Sequence, residues 1–564
     1  MDYQPRADEV ASLLFGVAGA AQALSVLPAF TDADEGLMRQ VLDEAGRFVA
    51  QRIAPLNRTG DEVGARFEAG QVTMPPGFRD AYQAFWQAGW PALAAATEHG
   101  GQGLPAVLEC VLYEWLSAAN HGWTMAPGLL HGAYECLKHH ASEDLKARYL
   151  AKIATGEWLA TMCLTEPHAG SDLGLVRTRA QPQADGSFQL AGTKIFISGG
   201  EHDLADNIVH LVLARLPDAP PGPKGLSLFV SAKFLLDGSR SAVYCERIKE
   251  KMGLHGSPTC VLRFDDAPAW LVGAPGRGLV AMFVMMNSAR LHVALQGIGL
   301  LDAAWQKADA YARERRQMRA PGAAVAARRA GAAADLIIEH PAVQRILDTQ
   351  RAWIDGARVL AYRTGIELDL ARHHPDSARR TAAERWCGFI TPVLKAACTE
   401  QAFHGASECL QVFGGHGYVR ESGIEQVLRD SRVAMIYEGT NEIQAIDLLL
   451  RKVLPDGGAA FCEFLADLGA VDAPLERRVA TLGRVAEGLA KGATAEPEMP
   501  YRIAGDFLRA VALVLLAWAW ERVAASDLDG PRWTAPAHAL NAWVLPEFEM
   551  RLAIIESELA QVAA

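Results

Sequence analysis

A chain of 564 residues, half of them apolar and 21% charged, is long enough for several cores and has the composition of a folded globular protein. Its formal charge of −12 argues against a dedicated nucleic-acid binder and against a protein held on an anionic membrane, since both need a Lys/Arg excess. The nine cysteines are scattered, odd in number and without a CxxC pair, so they read as buried thiols of a reducing compartment rather than a disulfide or zinc framework.

The amino terminus MDYQPRADEV is polar and acidic, unlike a signal peptide, and no run reaches the roughly twenty apolar residues that span a bilayer; the expected location is cytoplasmic, with no membrane span. Residues 1–35 carry a weak helical pattern with Val10, Leu13, Leu14 and Val17 on one face, an arm that has to dock elsewhere. Residues 36–160 alternate helical periods with breakers and predict an all-helical domain whose first helix stops before Pro55. From 161 to 278 the period changes: segments such as SFQLAGTKIFISGG, NIVHLVLARL and GLSLFVSAK predict a small β domain. Residues 279–455 return to long helical periods, interrupted by an Ala/Gly-rich stretch from Ala320 to Ala334, and predict a four-helix bundle. Residues 456–564 predict a further helical domain, acidic with 9 Lys/Arg against 16 Asp/Glu. Its run ALVLLAWAW is apolar all round and reads as a buried helix or a subunit contact.

Two stretches carry chemistry. CLTEPHAGSDLG, residues 163–174, sets Thr165, Gly170 and Ser171 in a turn whose amides and hydroxyls can surround a phosphate or the polar edge of a ring. Nearby, strand alternation in KIFISGG places Ile195 and Ile197 on one face and Lys194, Phe196 and Ser198 on the other, an aromatic and a hydroxyl suited to a flat cofactor. The second stretch, Gln411 to Gln444, opens on a glycine turn (Gly414, Gly415, Gly417) and closes on Glu438, between Tyr437 and Gly439. Thr440 or Asn441 caps the helix that follows, so Glu438 is expected on a loop beside a helix N-terminus. A carboxyl flanked by an aromatic ring and a glycine is suited to partial desolvation, which raises its pKa toward that of a useful base.

Taken together and in order, Thr165-Glu166-Pro167, Ala169-Gly170-Ser171-Asp172, Lys251-Met252-Gly253, Gln411-Val412-Phe413-Gly414-Gly415 and Tyr437-Glu438-Gly439-Thr440-Asn441-Glu442-Ile443-Gln444 resemble the acyl-CoA dehydrogenases, over residues 36–455. The resemblance implies an α+β chain with an N-terminal all-α domain, a middle β-barrel-like domain and a C-terminal four-helix bundle, to which residues 456–564 add a helical domain. It implies FAD as cofactor, a CoA thioester as substrate, and α,β-dehydrogenation to a trans-2-enoyl-CoA, as in fatty-acid β-oxidation. Carried onto this chain, Leu164, Thr165, Gly170 and Ser171 match the flavin-contacting turn, Ser171 also reaching the CoA. Phe196 and Ser198 match the strand beside the flavin, where the family often has Trp and Thr. Arg315 matches an arginine that meets the FAD pyrophosphate from a second subunit; Arg316 is the alternative, because the usual Phe-Gly is replaced by Met318-Arg319. Gln411 and Gly415 match adenine and pyrophosphate contacts across the dimer, and Thr440 and Glu442 further flavin contacts. Arg290 matches a position that binds the CoA nucleotide, the plainer alternative being a salt bridge on the helix surface. Tyr437 and Gly439 adjoin the substrate on either side of Glu438, which matches the general base that takes the α-proton while a hydride leaves the β-carbon for flavin N5. The Glu438 backbone N–H and a ribityl hydroxyl of FAD would polarise the thioester carbonyl. The resemblance further implies a homodimer and an electron-transfer flavoprotein as electron acceptor. The arm and terminal domain resemble a branch of larger bacterial members that includes methylmercaptopropionyl-CoA and long-chain acyl-CoA dehydrogenases. Two alternatives stay open: an acyl-CoA oxidase, and a non-catalytic flavoprotein that binds nucleic acid, against which the acidic terminal domain speaks.

Overall fold

The computed structural model describes residues 2–321, 333–469 and 472–563, so most of the Ala/Gly-rich stretch from Ala320 to Ala334 lies outside the described residues. The N-terminal arm contains two short helices, α1 (Ala7–Ala11) and α2 (Ala20–Ser25). It docks as its apolar face requires: Val10, Leu13 and Leu14 are fully buried, and the Tyr3 hydroxyl donates to Asp302 at 2.9 Å. Helix α3 (Glu35–Phe48) starts at Asp34, whose carboxylate accepts the Leu37 N–H at 2.8 Å. The expected stop before Pro55 is observed: α3 runs on as a wider turn, Val49–Ile53, and ends there. Pro55 lies in the first turn of a short tight helix, Ala54–Leu56, where a missing N–H costs little, and α4 (Asn57–Val63) follows at once. Helices α5 (Phe78–Gln87), α6 (Ala106–Thr124), α7 (Leu130–His140) and α8 (Glu143–Thr155) complete this part.

A hairpin of β1 (Arg66–Glu68) and β2 (Gln71–Thr73) precedes the main sheet. That sheet holds β3 (Leu159–Cys163), β4 (Arg179–Pro182), β5 (Phe188–Ser198), β6 (Ile208–Arg215), β7 (Leu226–Ala232), β8 (Val243–Ile248) and β9 (Thr259–Val272). The neighbours run β3-β6-β4-β5-β9-β7, with β8 beside β9; β7 also pairs with β6, which closes a ring. The strands β3 and β6 are parallel and almost wholly buried, which accounts for their continuous apolar character.

The bundle consists of α9 (Gly278–Glu314), α10 (Pro341–His373), α11 (Ser377–Val412), the short α12 (Ile424–Ser431), and α13 (Asn441–Ile446), which runs on as a wider turn to Val453. The terminal part adds α14 (Ala459–Ala466), α15 (Ala473–Ala495), α16 (Met499–Ala524), α17 (Pro531–Ala539) and α18 (Glu547–Ala563). Helix α16 carries ALVLLAWAW and lies against α10, where the Trp520 indole donates to the Ala352 carbonyl at 2.8 Å. Gly356 makes the close approach possible, since a Cβ there would sit 2.4 Å from Leu516. By length and composition α9 and α16 are apolar enough to cross a membrane, but 61% and 78% of their apolar windows are buried within the fold.

The Lys251-Met252-Gly253 loop locks three parts of the chain together. Asp430 of α12 accepts the Leu254 N–H at 2.6 Å, and Arg429 grips Asp61 of α4 through both guanidinium nitrogens at 2.6 and 2.9 Å. A Cβ on Gly253 would lie 2.5 Å from the Asp430 carboxylate and 2.8 Å from the Arg429 backbone. Gly253→Ala is therefore expected to lower stability by about 1–3 kcal/mol, the cost of overpacking a closed site. A thermal midpoint equal to that of the wild type would contradict this packing argument.

Candidate active site

The turn after β3 is built on a buried ion pair. Lys194, fully buried on β5, donates to the Leu164 carbonyl and to Glu166, each at 2.9 Å. Glu166 also accepts from the N–H groups of Arg177 and Thr178 and from the Thr178 hydroxyl at 2.6 Å. Burial works to raise this carboxyl, but Lys194 and these donors hold it below its ordinary range. Above this anchor Leu164 and Thr165 are half-buried, and Gly170 and Ser171 are exposed with open space around Gly170.

Strand alternation fails at one point that matters. The pairing of β5 with β9 shifts between Lys194 and Ile197, a bulge at which Phe196 takes a left-handed backbone with φ of 59°. The expectation that Lys194 and Phe196 share a face is corrected accordingly: Lys194 points inward, whereas Phe196 is 57% exposed, with the Lys249 ammonium 5.4 Å from its ring centre. Ser198, two residues on, is half-buried.

Glu438 lies on the loop before α13, and its backbone is also left-handed, with φ of 54°, followed by Gly439 at 83°. For a residue with a Cβ this conformation is costly and persists only where its surroundings enforce it. Thr440 is the cap of α13, its hydroxyl accepting the Ile443 N–H at 3.3 Å, while the neighbouring Glu442 is exposed. The Gln444 amide donates to the Glu438 carbonyl at 3.1 Å. Among the described residues, no donor reaches the Glu438 carboxylate and no acceptor reaches its backbone N–H. Burial pushes the carboxyl up to about 7, against the pull of Arg290 and then Lys395.

Arg290 is buried on α9, beside Asp447 at 3.4 Å and not on the helix surface, and among the described residues its Nε has no partner. The Tyr437 hydroxyl donates to Gln296 at 2.6 Å and lies 3.2 Å from the His121 ring. Burial keeps that imidazole neutral, at about 3. The same hydroxyl touches the Met125 sulfur at 3.8 Å, and a Cβ on Gly199 would meet Ala126 at 3.3 Å. The end of β5 with Ser198 and the loop with Glu438 thus flank one short turn, Met125-Ala126.

The remaining candidates gather at another place. Tyr311, one turn before Arg315 near the end of α9, stacks on Phe413 at 4.3 Å, and Phe413 stands between the exposed Gln411 and Gly415. Arg316 is tied down through the Ala334 carbonyl at 3.1 Å, whereas no partner reaches the Arg315 guanidinium among the described residues. At about 1.5 Å per residue, Arg315 is roughly 37 Å along α9 from Arg290, and Gln411 roughly 24 Å along α11 from Lys395. One chain therefore keeps these groups well away from its own Glu438.

Sequence reasoning overlooked Lys395, Gln296 and His121. The signal for Lys395 was a lysine in the apolar helical run FITPVLKAACTEQAF, with Thr399 one turn later.

Residues 38–157, 161–267 and 322–453 match, respectively, the N-terminal, middle and C-terminal domains of acyl-CoA dehydrogenase. The chain is 45% identical over 464 residues to a 3-methylmercaptopropionyl-CoA dehydrogenase of Ruegeria pomeroyi, covering 81% of this chain and 77% of that one. It is 34% identical over 551 residues to a broad-specificity linear acyl-CoA dehydrogenase of Mycobacterium tuberculosis, covering 91% and 88%. A solved acyl-CoA dehydrogenase of Bacillus anthracis, complexed with FAD, shares the fold with a TM-score of 0.71 at 22% identity, over 93% of this chain and 91% of that one. The chain belongs to the acyl-CoA dehydrogenase family, whose members use FAD to dehydrogenate acyl-CoA thioesters.

Proposed function

We propose that Glu438 is the general base of this dehydrogenase and that its substrate is a short acyl-CoA, with a 3-methylmercaptopropionyl thioester first among the candidates. The observation that carries the reading is the state of Glu438: a carboxyl raised to about 7 by burial, with no donor on its oxygens among the described residues. The first-named substrate rests on the 45% identity to the Ruegeria pomeroyi enzyme.

The residues present fit FAD. Phe196 offers an exposed flat face, Thr165, Ser171 and Ser198 offer hydroxyls, and the turn at Gly170 opens onto free space. Leu164 would line the ring, and Thr440 and Glu442 would meet it from the α13 side. Bound there, FAD supplies a hydride acceptor for the β-carbon. The protein does the rest. The Glu438 carboxylate takes the α-proton, and its backbone N–H donates to the thioester oxygen as charge develops. Tyr437, held by Gln296 and His121, closes the loop over the acyl carbons beside Gly439, and Ser171 and Arg290 serve the CoA side.

Arg315, Gln411 and Gly415 are assigned to the FAD of a second copy, a reading supported by their distance along α9 and α11 from the base. The working unit is accordingly a homodimer, and an electron-transfer flavoprotein is the proposed acceptor. The reaction takes place in the cytoplasm.

The test is anaerobic loss of oxidised-flavin absorbance on mixing the holoenzyme with short, long, branched and thioether acyl-CoAs at a series of pH values. The fastest reduction is expected with the short and thioether substrates. Because Glu438 must be ionised, the rate should fall about tenfold per pH unit below about 7 and level off above it. A rate independent of pH from 5 to 9 would remove Glu438 from this role.

A further inference from the structure

Lys395 lies midway along α11 and is fully buried, yet among the described residues it pairs with no carboxylate. Its ammonium donates to the Gly439 carbonyl at 2.7 Å and to the Asn441 side-chain oxygen at 3.0 Å. The Thr399 hydroxyl reaches the same oxygen at 3.2 Å, and the Asn441 amide donates back to the Ala396 carbonyl at 3.2 Å. One turn of α11 thus holds the Gly439 carbonyl and the Asn441 side chain, while Gln444 holds the Glu438 carbonyl from α13. Taking an ammonium out of water is expensive, and neutral acceptors recover only part of that cost. A methionine would fill the same space more cheaply, so packing does not account for a lysine here.

We propose that Lys395 is a positioning residue for the base: its two hydrogen bonds clamp the left-handed Glu438-Gly439 pair and so fix the direction in which the carboxylate points. The inference rests on the reading of Glu438 as the base. Without the clamp, two successive left-handed residues relax toward ordinary backbone, and the carboxylate swings off the α-carbon. The charged groups facing Lys395 are Glu438 on the loop, Arg290 from α9 and Glu442 from α13. Burial lowers the ammonium to about 7, with Glu438 opposing that shift.

The test compares purified holoenzymes of the wild type, Lys395→Met, Asn441→Ala and Glu438→Gln by flavin content, thermal midpoint, substrate KM and anaerobic flavin-reduction rate against pH. Lys395→Met is expected to keep its flavin and a KM within about threefold, and to lose about 100-fold in reduction rate at saturating acyl-CoA, the scale of a misplaced reacting group. Its acid limb should move to higher pH, because Glu438 loses a neighbouring positive charge. Asn441→Ala, which removes one of the two acceptors, should lose about tenfold. If Lys395→Met yields folded holoenzyme with the wild-type rate and acid limb, or only a lower thermal midpoint, the positioning role is overturned. If it does not fold, Asn441→Ala decides, and an unchanged rate there overturns the proposal. Glu438→Gln separates the two claims: full flavin reduction in that variant rejects the base itself, whereas a dead Glu438→Gln beside a fully active Lys395→Met rejects only the clamp.

Discussion

Arg358→Met is expected to be among the most destabilising single changes in the chain. The Arg358 guanidinium is buried on α10 and donates to Glu114 of α6 and to Asp302 of α9, both at 2.8 Å. Glu114 also accepts the Tyr362 hydroxyl at 2.7 Å, and Asp302 accepts the Tyr3 hydroxyl of the arm. Arg351 extends the network to Asp355, which Arg532 of α17 reaches at 2.7 Å. The arm, the first helical part, the bundle and the terminal helices therefore meet on one buried set of charges. Burial works to raise Asp302, but Arg358 and Arg351 outweigh it and hold that carboxyl at about 2. In Glu114 burial wins, and the carboxyl is raised in spite of Arg358.

Removing Arg358 leaves Glu114 without its cation and Asp302 with Arg351 alone, at 3.3 Å, at a cost of about 3–5 kcal/mol, the range for breaking one partner of a buried pair. The sign with pH follows from Asp302. Its depressed carboxyl contributes stability that is present above its unfolded pKa near 4 and is lost as pH falls toward about 2. In Arg358→Met that contribution is reduced to what Arg351 supplies, so the difference from the wild type should be greatest at neutral pH and shrink in acid. The check is the urea midpoint of each protein at several pH values. The triple change Glu114→Gln, Asp302→Asn, Arg358→Met should recover much of the loss, because no unpaired charge is then left behind.

The order of helical, β and helical parts was legible in sequence because each writes its own period, but the expectation of an all-helical part over 36–160 missed the β1–β2 hairpin, whose three-residue strands are too short to show alternation. The glycine-bearing turns were legible for a related reason. Glycines at 170, 414 and 439 stand where the chain takes a left-handed turn or leaves open space, and such demands mark the sequence locally. What escaped was non-local or irregular. The bulge in β5 turns Phe196 outward and Lys194 inward, and no alternation rule registers a single extra residue. Lys395 touches the active loop only through tertiary packing, so its place in α11 gave a charge on an apolar face and nothing about what it holds. The positive φ of Glu438 itself was invisible for the same reason: a glutamate does not signal that conformation, and the contacts that hold the loop there, from Gln444 and Lys395, are tertiary.

Glu438→Gln carries the largest expected effect on activity. The amide preserves the shape and the backbone N–H of the residue but has no basic lone pair for the α-proton. A positioned general base contributes about 10²–10⁴-fold, so flavin reduction should fall by at least that factor. Folding should not suffer. A carboxyl raised from 4.5 to about 7 by burial takes stability from the fold as pH rises between those two values, a penalty complete above about 7, and a neutral amide is free of it. The thermal midpoint at pH 8 is accordingly expected to equal or exceed that of the wild type. Binding of acyl-CoA should survive as well, since the CoA-side residues are untouched.

The decisive measurement is anaerobic stopped-flow absorbance of the bound flavin after mixing with a saturating acyl-CoA, with wild type and Glu438→Gln compared at equal flavin content. Rapid bleaching of the wild type beside a variant whose flavin stays oxidised is the predicted result; bleaching at the same rate in both would contradict the assignment of Glu438 as the base.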